Sequence, residues 1–99
     1  MSMILTGKQK KYLKALAHPL KPLVIIGKNG LDPKILQEIT VQLERHELIK
    51  VKIIKNAEIT IKQASVEIAT AIPCSLVQTI GKTMLFYKKN LEEPIIDLP

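Results

Sequence analysis

The fold is decided by residues 23–33, whose sequence is LVIIGKNGLDP. The continuous apolar run at residues 23–26 predicts a strand that is buried on both faces. Residues 27–30 (GKNG) break that run, and Asp32 followed by Pro33 is the favoured order of N-cap and first-turn residue for a helix. The stretch therefore predicts a buried strand that leads through a glycine-flanked loop into a helix.

An amphipathic helix is predicted before this stretch, at residues 6–18. Thr6 is a suitable N-cap, and Pro19 ends the helix because the residue before a proline avoids helical angles. The side chains predicted to share the inward face are Leu13, Leu16 and Ala17.

After the loop, the pattern predicts a helix at residues 33–46 and a strand at residues 48–54. Residues 57–72 are ambiguous. Their first positions alternate like a strand, whereas their apolar residues recur at helical spacing behind a possible N-cap at Asn56. The length of this segment favours a third helix.

Two further strands, at residues 75–80 and 83–88, are predicted around a two-residue turn, because glycine at position 81 suits a hairpin. Residues 89–99 contain two prolines and are predicted to form a tail. The order helix, strand, helix, strand, helix, strand, strand predicts an α/β two-layer domain with a small mixed sheet. Its first two strands should be parallel, since a right-handed crossover joins them.

Composition and charge limit the function. The 99 residues suit one domain, residues 1–99, with a core at about residues 5–90 and a tail at 91–99. The chain has 15 basic and 9 acidic residues, and residues 1–30 contain six lysines and no carboxylate. Such a one-sided charge indicates a polyanionic partner, with a merely solvated surface as the alternative.

The sequence offers little for catalysis or metal binding. Cys74 is the single cysteine, which excludes an internal disulfide and a CxxC site and fits a reducing cytoplasm. His18 and His46 have no cysteine or carboxylate cluster beside them, so we expect no metal site, no cofactor and no enzymatic activity. No signal peptide or membrane span is recognised, so we expect a soluble cytoplasmic protein.

The loop at residues 27–30 carries the candidate chemistry. Glycines permit unusual backbone angles and a close approach of a phosphodiester. The helix start that follows is expected to offer unpaired N–H groups and a partial positive charge, some of them taken up by Asp32. Lys28 adds a full charge and Asn29 adds donors. Most Gly-x-x-Gly tetrapeptides are only turns, but the strand before this one and the capped helix after it favour a binding site.

Three blocks of sequence resemble the YhbY family of CRM-domain proteins, a domain named for chloroplast RNA splicing and ribosome maturation. They are residues 16–31 with the runs LAHPLKP and IGKNGL, residues 46–52 (HELIKVK) and residues 80–83 (IGKT). The resemblance covers about residues 5–90. It implies a fold like the C-terminal domain of bacterial translation initiation factor three: a four-stranded mixed sheet packed by three helices in the order αβαβαββ.

The resemblance also implies a non-enzymatic RNA-binding protein that contacts RNA through the Gly-x-x-Gly loop. Bacterial single-domain members are associated with large-subunit assembly, so precursor large-subunit ribosomal RNA is the expected partner. The expected state of the protein is a monomer. A protein-interaction module is the alternative. Asp32 stands where the family often has threonine, and adds a negative charge. The expected RNA-binding residues are Gly27, Lys28, Asn29, Gly30, Lys8, Lys11, Lys14, His18, Lys21, Lys34 and Lys82.

Overall fold

The computed structural model describes residues 5–99 and confirms the predicted order of elements. Its helices are α1 (Gly7–Ala17), α2 (Pro33–His46) and α3 (Ile61–Ala71). Its strands are β1 (Val24–Ile26), β2 (Leu48–Ile53), β3 (Ser75–Ile80) and β4 (Thr83–Tyr87). The strands form one mixed sheet in the order β1-β2-β4-β3, in which β1 and β2 are parallel as predicted and the other neighbours are antiparallel.

Capping boxes define where two of the helices begin. At the start of α1, the Thr6 hydroxyl accepts the Gln9 N–H at 3.1 Å, and the Gln9 side chain accepts the Thr6 N–H at 3.0 Å. Thr60 and Gln63 repeat this reciprocal pair at the start of α3. The predicted N-cap at Asn56 is therefore wrong, because the residue four positions later has the partner that completes a capping box.

The helices cover both faces of the sheet. The four-stranded mixed sheet with three helices is confirmed, and α1 adds a third layer over part of the sheet. Buried side chains of α2 and α3 pack against one face of the sheet, where the core includes Ile39, Leu43, Ile49, Val51, Ile68, Met84 and Phe86. On the other face α1 packs over β2 and β3. A smaller cluster there, the α1-side cluster, contains Leu5, Leu13, Ala17, Leu48, Val77, Leu85 and Tyr87.

The prediction that the first strand is buried on both faces is wrong. β1 lies at one edge of the sheet, where Val24 and Ile26 are buried in the core beneath α2. Ile25 between them is 56% exposed, and Leu23 just before the strand is 43% exposed. The helix on that side, α1, packs over β2 and β3, so the second face of β1 faces solvent. A continuous apolar run therefore does not distinguish a central strand from an edge strand with one open face.

A fully buried carboxylate, that of Glu47, holds the C-terminal tail against the domain. Glu47 follows α2 with a φ of 62°, which is uncommon for a residue other than glycine. Its carboxylate oxygens accept the backbone N–H groups of Asn90 at 2.6 Å, Ile95 at 2.7 Å and Ile96 at 2.6 Å. Ile96 and Leu98 then pack against the α1-side cluster. The tail has no regular secondary structure, but it is fixed to the fold.

Replacing Glu47 by Gln should lower the free energy of unfolding by roughly 1.5–3 kcal/mol, the range for hydrogen bonds to charged groups. The amide nitrogen of the new side chain would face a backbone N–H that a carboxylate oxygen now accepts. Urea unfolding measures the change. Glu44→Gln is the matched control, since Glu44 is exposed and bonds Asn90 through its backbone carbonyl only. Equal stability of the two variants would contradict this role of Glu47.

Candidate functional site

One end of the sheet brings three connecting segments together. They are the glycine-flanked loop at residues 27–30, the turn at residues 54–58 and the hairpin tip at residues 81–82. They meet because β1, β2 and β3 end there, while the antiparallel strand β4 begins there. We call this edge the loop end of the sheet.

Backbone hydrogen bonds from the end of β2 fix the segments on either side of it. The N–H of Ile54 donates to the carbonyl of Ile26 at 3.1 Å, and the N–H of Ile53 donates to the carbonyl of Lys82 at 2.8 Å. β1 and β4 are therefore both neighbours of β2, and two strand spacings separate them by about 10 Å. The loop and the hairpin tip lie close enough to contact one ligand.

The loop itself is a tight turn closed by a hydrogen bond from the Gly30 N–H to the Gly27 carbonyl at 3.1 Å. Gly30 has a φ of +73°, in the left-handed region that favours glycine. A Cβ at Gly27 would meet no atom within 4 Å, so its backbone is open to a neighbouring molecule. The two predicted glycines thus have different roles: one allows the turn, and the other leaves space beside it.

The centre of the turn carries the groups that suit an anion. Residues 5–99 provide no acceptor for the backbone amides of Lys28 and Asn29, and both side chains are exposed. The Lys28 carbonyl is used, since it accepts the Glu58 N–H at 3.1 Å. The Glu58 side chain is exposed on the turn at residues 54–58 and adds a negative charge near the loop. Two amides without an acceptor in residues 5–99 and one ammonium group are therefore opposed by two nearby carboxylates, those of Glu58 and Asp32.

At the start of α2, Asp32 accepts two backbone N–H groups. The Asp32 carboxylate accepts the Ile35 N–H at 2.8 Å, and the Asp32 carbonyl accepts the Leu36 N–H at 3.0 Å. Pro33 has no N–H to offer. Within the described part of the chain, the Lys34 amide alone in this first turn lacks an acceptor. Asp32 thus takes up part of the helix start, as expected, and leaves the Lys34 N–H available.

The predicted basic residues do not form a single cluster, although all are exposed. Lys28, Lys34 and Lys82 lie at or beside the loop end. Lys8 and Lys11 lie on the N-terminal half of α1, on either side of Gln9, whose side chain donates to the Pro99 carbonyl at 3.3 Å. Gln9 also lies beside Tyr87, at the opposite end of β4 from the loop end. A ligand at the loop end would have to extend along the sheet to reach them.

Two other predicted residues, Lys14 and His18, line a groove of about 400 Å³ between the C-terminal end of α1 and the sheet. His18 is the C-cap of α1, and its backbone N–H donates to the Ala15 carbonyl at 3.3 Å. Lys50 also lines the groove, and its ammonium donates to the Leu20 carbonyl at 3.0 Å. This bond ties the exposed segment that contains the predicted Lys21 to β2.

Two further basic residues, Lys50 and Lys52, belong to this surface but were not among the predicted site residues. Lys52 is exposed and stands in register between Ile25 of β1 and Thr83 of β4. It lies on the same sheet face as Lys50, between the groove and the loop end. The period-two alternation of β2 was the available signal, because it places the two lysines on one face.

The single cysteine is buried, and the described residues contain no metal-binding cluster. Burial raises the pKa of the Cys74 thiol to about 11, with a smaller lowering from the positive charge of Lys88, so the thiol is neutral at physiological pH. No group of three histidine, cysteine or carboxylate side chains in residues 5–99 could hold a metal ion. Over the same residues, no helix combines the length and the apolar character that crossing a membrane requires.

Comparison with known proteins gives consistent matches. Residues 5–88 match the family model described as the CRS1 / YhbY (CRM) domain. A Bacillus subtilis protein named "Probable RNA-binding protein YqeI" is 38% identical over 97% of this chain and 100% of its own length. A Haemophilus influenzae protein named "RNA-binding protein" is 44% identical over 96% of this chain and 95% of its own. The solution structure of SAV1595 from Staphylococcus aureus matches with a TM-score of 0.77 and 36% identity, over 97% of this chain and 100% of that one.

The buried Cys74 thiol should make stability fall in alkaline solution. The unfolded thiol ionises around its ordinary pKa of 9.0, whereas the folded thiol stays neutral up to about 11. The contribution to stability is therefore fully present below pH 9.0 and is lost as pH rises towards 11. Urea unfolding across this pH range should show a smaller fall in the free energy of unfolding for Cys74→Ala than for the wild type. If the free energy of unfolding fell equally steeply with pH in both proteins, the raised pKa would be contradicted.

Proposed function

Because this chain belongs to the CRS1 / YhbY (CRM) domain family, we propose that it is a non-enzymatic RNA-binding protein that holds the RNA backbone at the loop end of its sheet. Relatives that match nearly the whole chain are named as RNA-binding proteins, which supports this proposal. The observation that carries it is the turn at residues 27–30. Its two central amides have no acceptor among residues 5–99, and an exposed lysine stands between its glycines.

A phosphate group suits this turn for two physical reasons. Successive backbone amides in a turn form a concave site for an anion, and a glycine-flanked turn lets a phosphodiester approach the main chain. Lys28 adds a charge-assisted hydrogen bond, and Lys34 and Lys82 add positive charge from neighbouring segments. The site therefore recognises the negatively charged backbone that all RNA shares, rather than a particular base.

The scarcity of aromatic side chains also favours backbone recognition. The chain has two tyrosines, one phenylalanine and no tryptophan, and Phe86 and Tyr87 are buried. Tyr12, on α1, is the aromatic residue that residues 5–99 leave partly exposed, at 39%. Proteins that bind single-stranded RNA without sequence preference usually stack several bases on aromatic rings. We therefore propose that the target is structured RNA, recognised by its shape and phosphates.

We further propose that this RNA is precursor large-subunit ribosomal RNA, and that the protein acts on it in the cytoplasm as a monomer. The support is the family resemblance together with the backbone-directed chemistry of the loop. A protein-interaction module is the second candidate, and exposed Ile25 in the edge strand β1 and exposed Leu23 just before it favour it. Ultraviolet crosslinking in cells separates the two, because only the first candidate predicts direct crosslinks to ribosomal precursors.

Reversing the charge at the loop by Lys28→Glu should weaken RNA binding by several-fold or more. It should also lower the slope of log affinity against log salt by about 1, because one phosphate contact is lost. Fluorescence anisotropy with a labelled large-subunit RNA fragment at several salt concentrations measures both quantities. Thermal stability should change by no more than about 0.5 kcal/mol, since Lys28 is an exposed loop residue.

Lys89→Glu is the control for this experiment. It makes the same change of net charge on an exposed residue beyond the opposite end of β4. If both variants lost the same affinity, net charge alone would explain the effect, and the loop would have no special part in binding.

Removing the negative charge beside the loop should strengthen binding. Glu58→Gln is expected to raise RNA affinity about two- to fivefold at low salt, because Glu58 is exposed next to the Lys28 backbone and repels phosphate. Glu92→Gln, on the exposed tail, is the matched control and should have a smaller effect. Equal gains in the two variants would argue against a phosphate at the loop end.

A further inference from the structure

We propose that the groove beside α1 receives one unpaired nucleotide of the bound RNA, an inference that rests on the proposed function. The loop at residues 27–30 would hold the backbone, and the groove would accept a base extruded from the adjoining stem. RNA would thereby be selected for an unpaired nucleotide next to a helix, and not only for its charge.

The first observation is a bulge in β3 that aims Gln78 into the groove. Leu76 pairs with Phe86 and Gln78 pairs with Leu85, so Val77 is an extra residue in the ladder. Both Val77 and Gln78 consequently lie on the α1 face: Val77 is buried in the α1-side cluster, and Gln78 lines the groove. In an unbroken ladder Gln78 would instead stand opposite the core residue at position 84. Bulges of this kind often re-aim a side chain at a functional site.

The second observation is the chemistry that Gln78 meets there. Its amide is half-buried and makes no hydrogen bond within residues 5–99. A glutamine amide both donates and accepts, so it can pair with the edge of a base. The groove walls beside it include the apolar side chains of Ile80, which is 65% exposed, and Leu85. A flat base can cover the exposed Ile80 side chain while its edge faces the amide.

The third observation is the positive charge of the groove. Two lysines, Lys14 and Lys50, line the groove, and none of its lining residues is a carboxylate. Lys50 is held in place by its hydrogen bond to the Leu20 carbonyl, so its charge stays at the groove wall. An anionic ligand with a flat apolar body and a hydrogen-bonding edge fits these walls, and a nucleotide of RNA combines all three properties.

The fourth observation is continuity with the loop end. A row across the open sheet face runs from Ile25 through Lys52 and Thr83 to Ile80. Thr83 and Ile80 belong to the groove, and Ile25 is two residues before the loop, a distance of about 7 Å along a strand. An RNA backbone held at the loop can therefore place a neighbouring nucleotide over Lys52 and in the groove.

The test compares two RNA hairpins that differ by one nucleotide: one has a single unpaired nucleotide in its stem, and in the other that nucleotide is paired. The full chain should bind the first hairpin more tightly by roughly five- to tenfold, the effect of one base-edge contact. Gln78→Ala should remove this preference and leave the salt-dependent affinity for the paired hairpin unchanged. Thr79→Ala is the matched control, since Thr79 is exposed and pairs in register with Met84 on the other face.

A second measurement does not depend on a variant. In ¹⁵N-labelled wild-type protein, the side-chain amide signals of Gln78 should shift with the hairpin that has the unpaired nucleotide and not with the paired one. Equal wild-type affinity for both hairpins, or a preference that survives Gln78→Ala, would overturn the groove proposal while leaving backbone binding in place. A groove that serves a protein segment would give this same negative result. Failure to bind either hairpin at low ionic strength would overturn the proposed function, and the groove proposal with it.

Discussion

The backbone hydrogen bonds at the end of β2 are the constraint on which the candidate site depends. Ile53 and Ile54 donate in opposite directions, to the hairpin tip and to the last residue of β1. The N–H of Glu58 then reaches the Lys28 carbonyl. Main-chain hydrogen bonds thus hold the loop, and within residues 5–99 the side chains of Lys28 and Lys82 make no hydrogen bond. Such a frame tolerates changes of the exposed residues and still presents them at a fixed spacing.

Local signals in the sequence were sufficient for most of the fold. Proline, glycine and capping residues mark where helices end and turns occur, and a crossover helix requires the parallel pairing of β1 and β2. The exposure of Ile25 could not be predicted this way. Whether a strand lies in the centre or at the edge of a sheet depends on pairing between distant segments, and hydrophobic periodicity carries no information about what covers each face.

The candidate site was predictable in its parts but not in its grouping. The loop residues are contiguous, so their proximity followed from the sequence itself. Lys8 and Lys14 are close along the chain, yet they lie towards opposite ends of a helix about 16 Å long and meet different parts of the surface. Gln78 gave no signal at all, because a strand with one extra residue has the same composition as a regular one. Only the pairing of β3 with β4 reveals which way its amide points.

The buried carboxylate of Glu47 joins parts of the chain that are more than 40 positions apart. Through this carboxylate, the junction between α2 and β2 is coupled to the C-terminal tail, which contacts the N-terminal half of α1. The two hydrophobic clusters on opposite faces of the sheet are therefore linked through this one carboxylate. Loosening residues 90–98 would disturb the packing on the α1 side and also the end of α2, where Glu47 lies. A segment without helix or strand thus belongs to the cooperative unit, and its irregular backbone is no measure of its mobility.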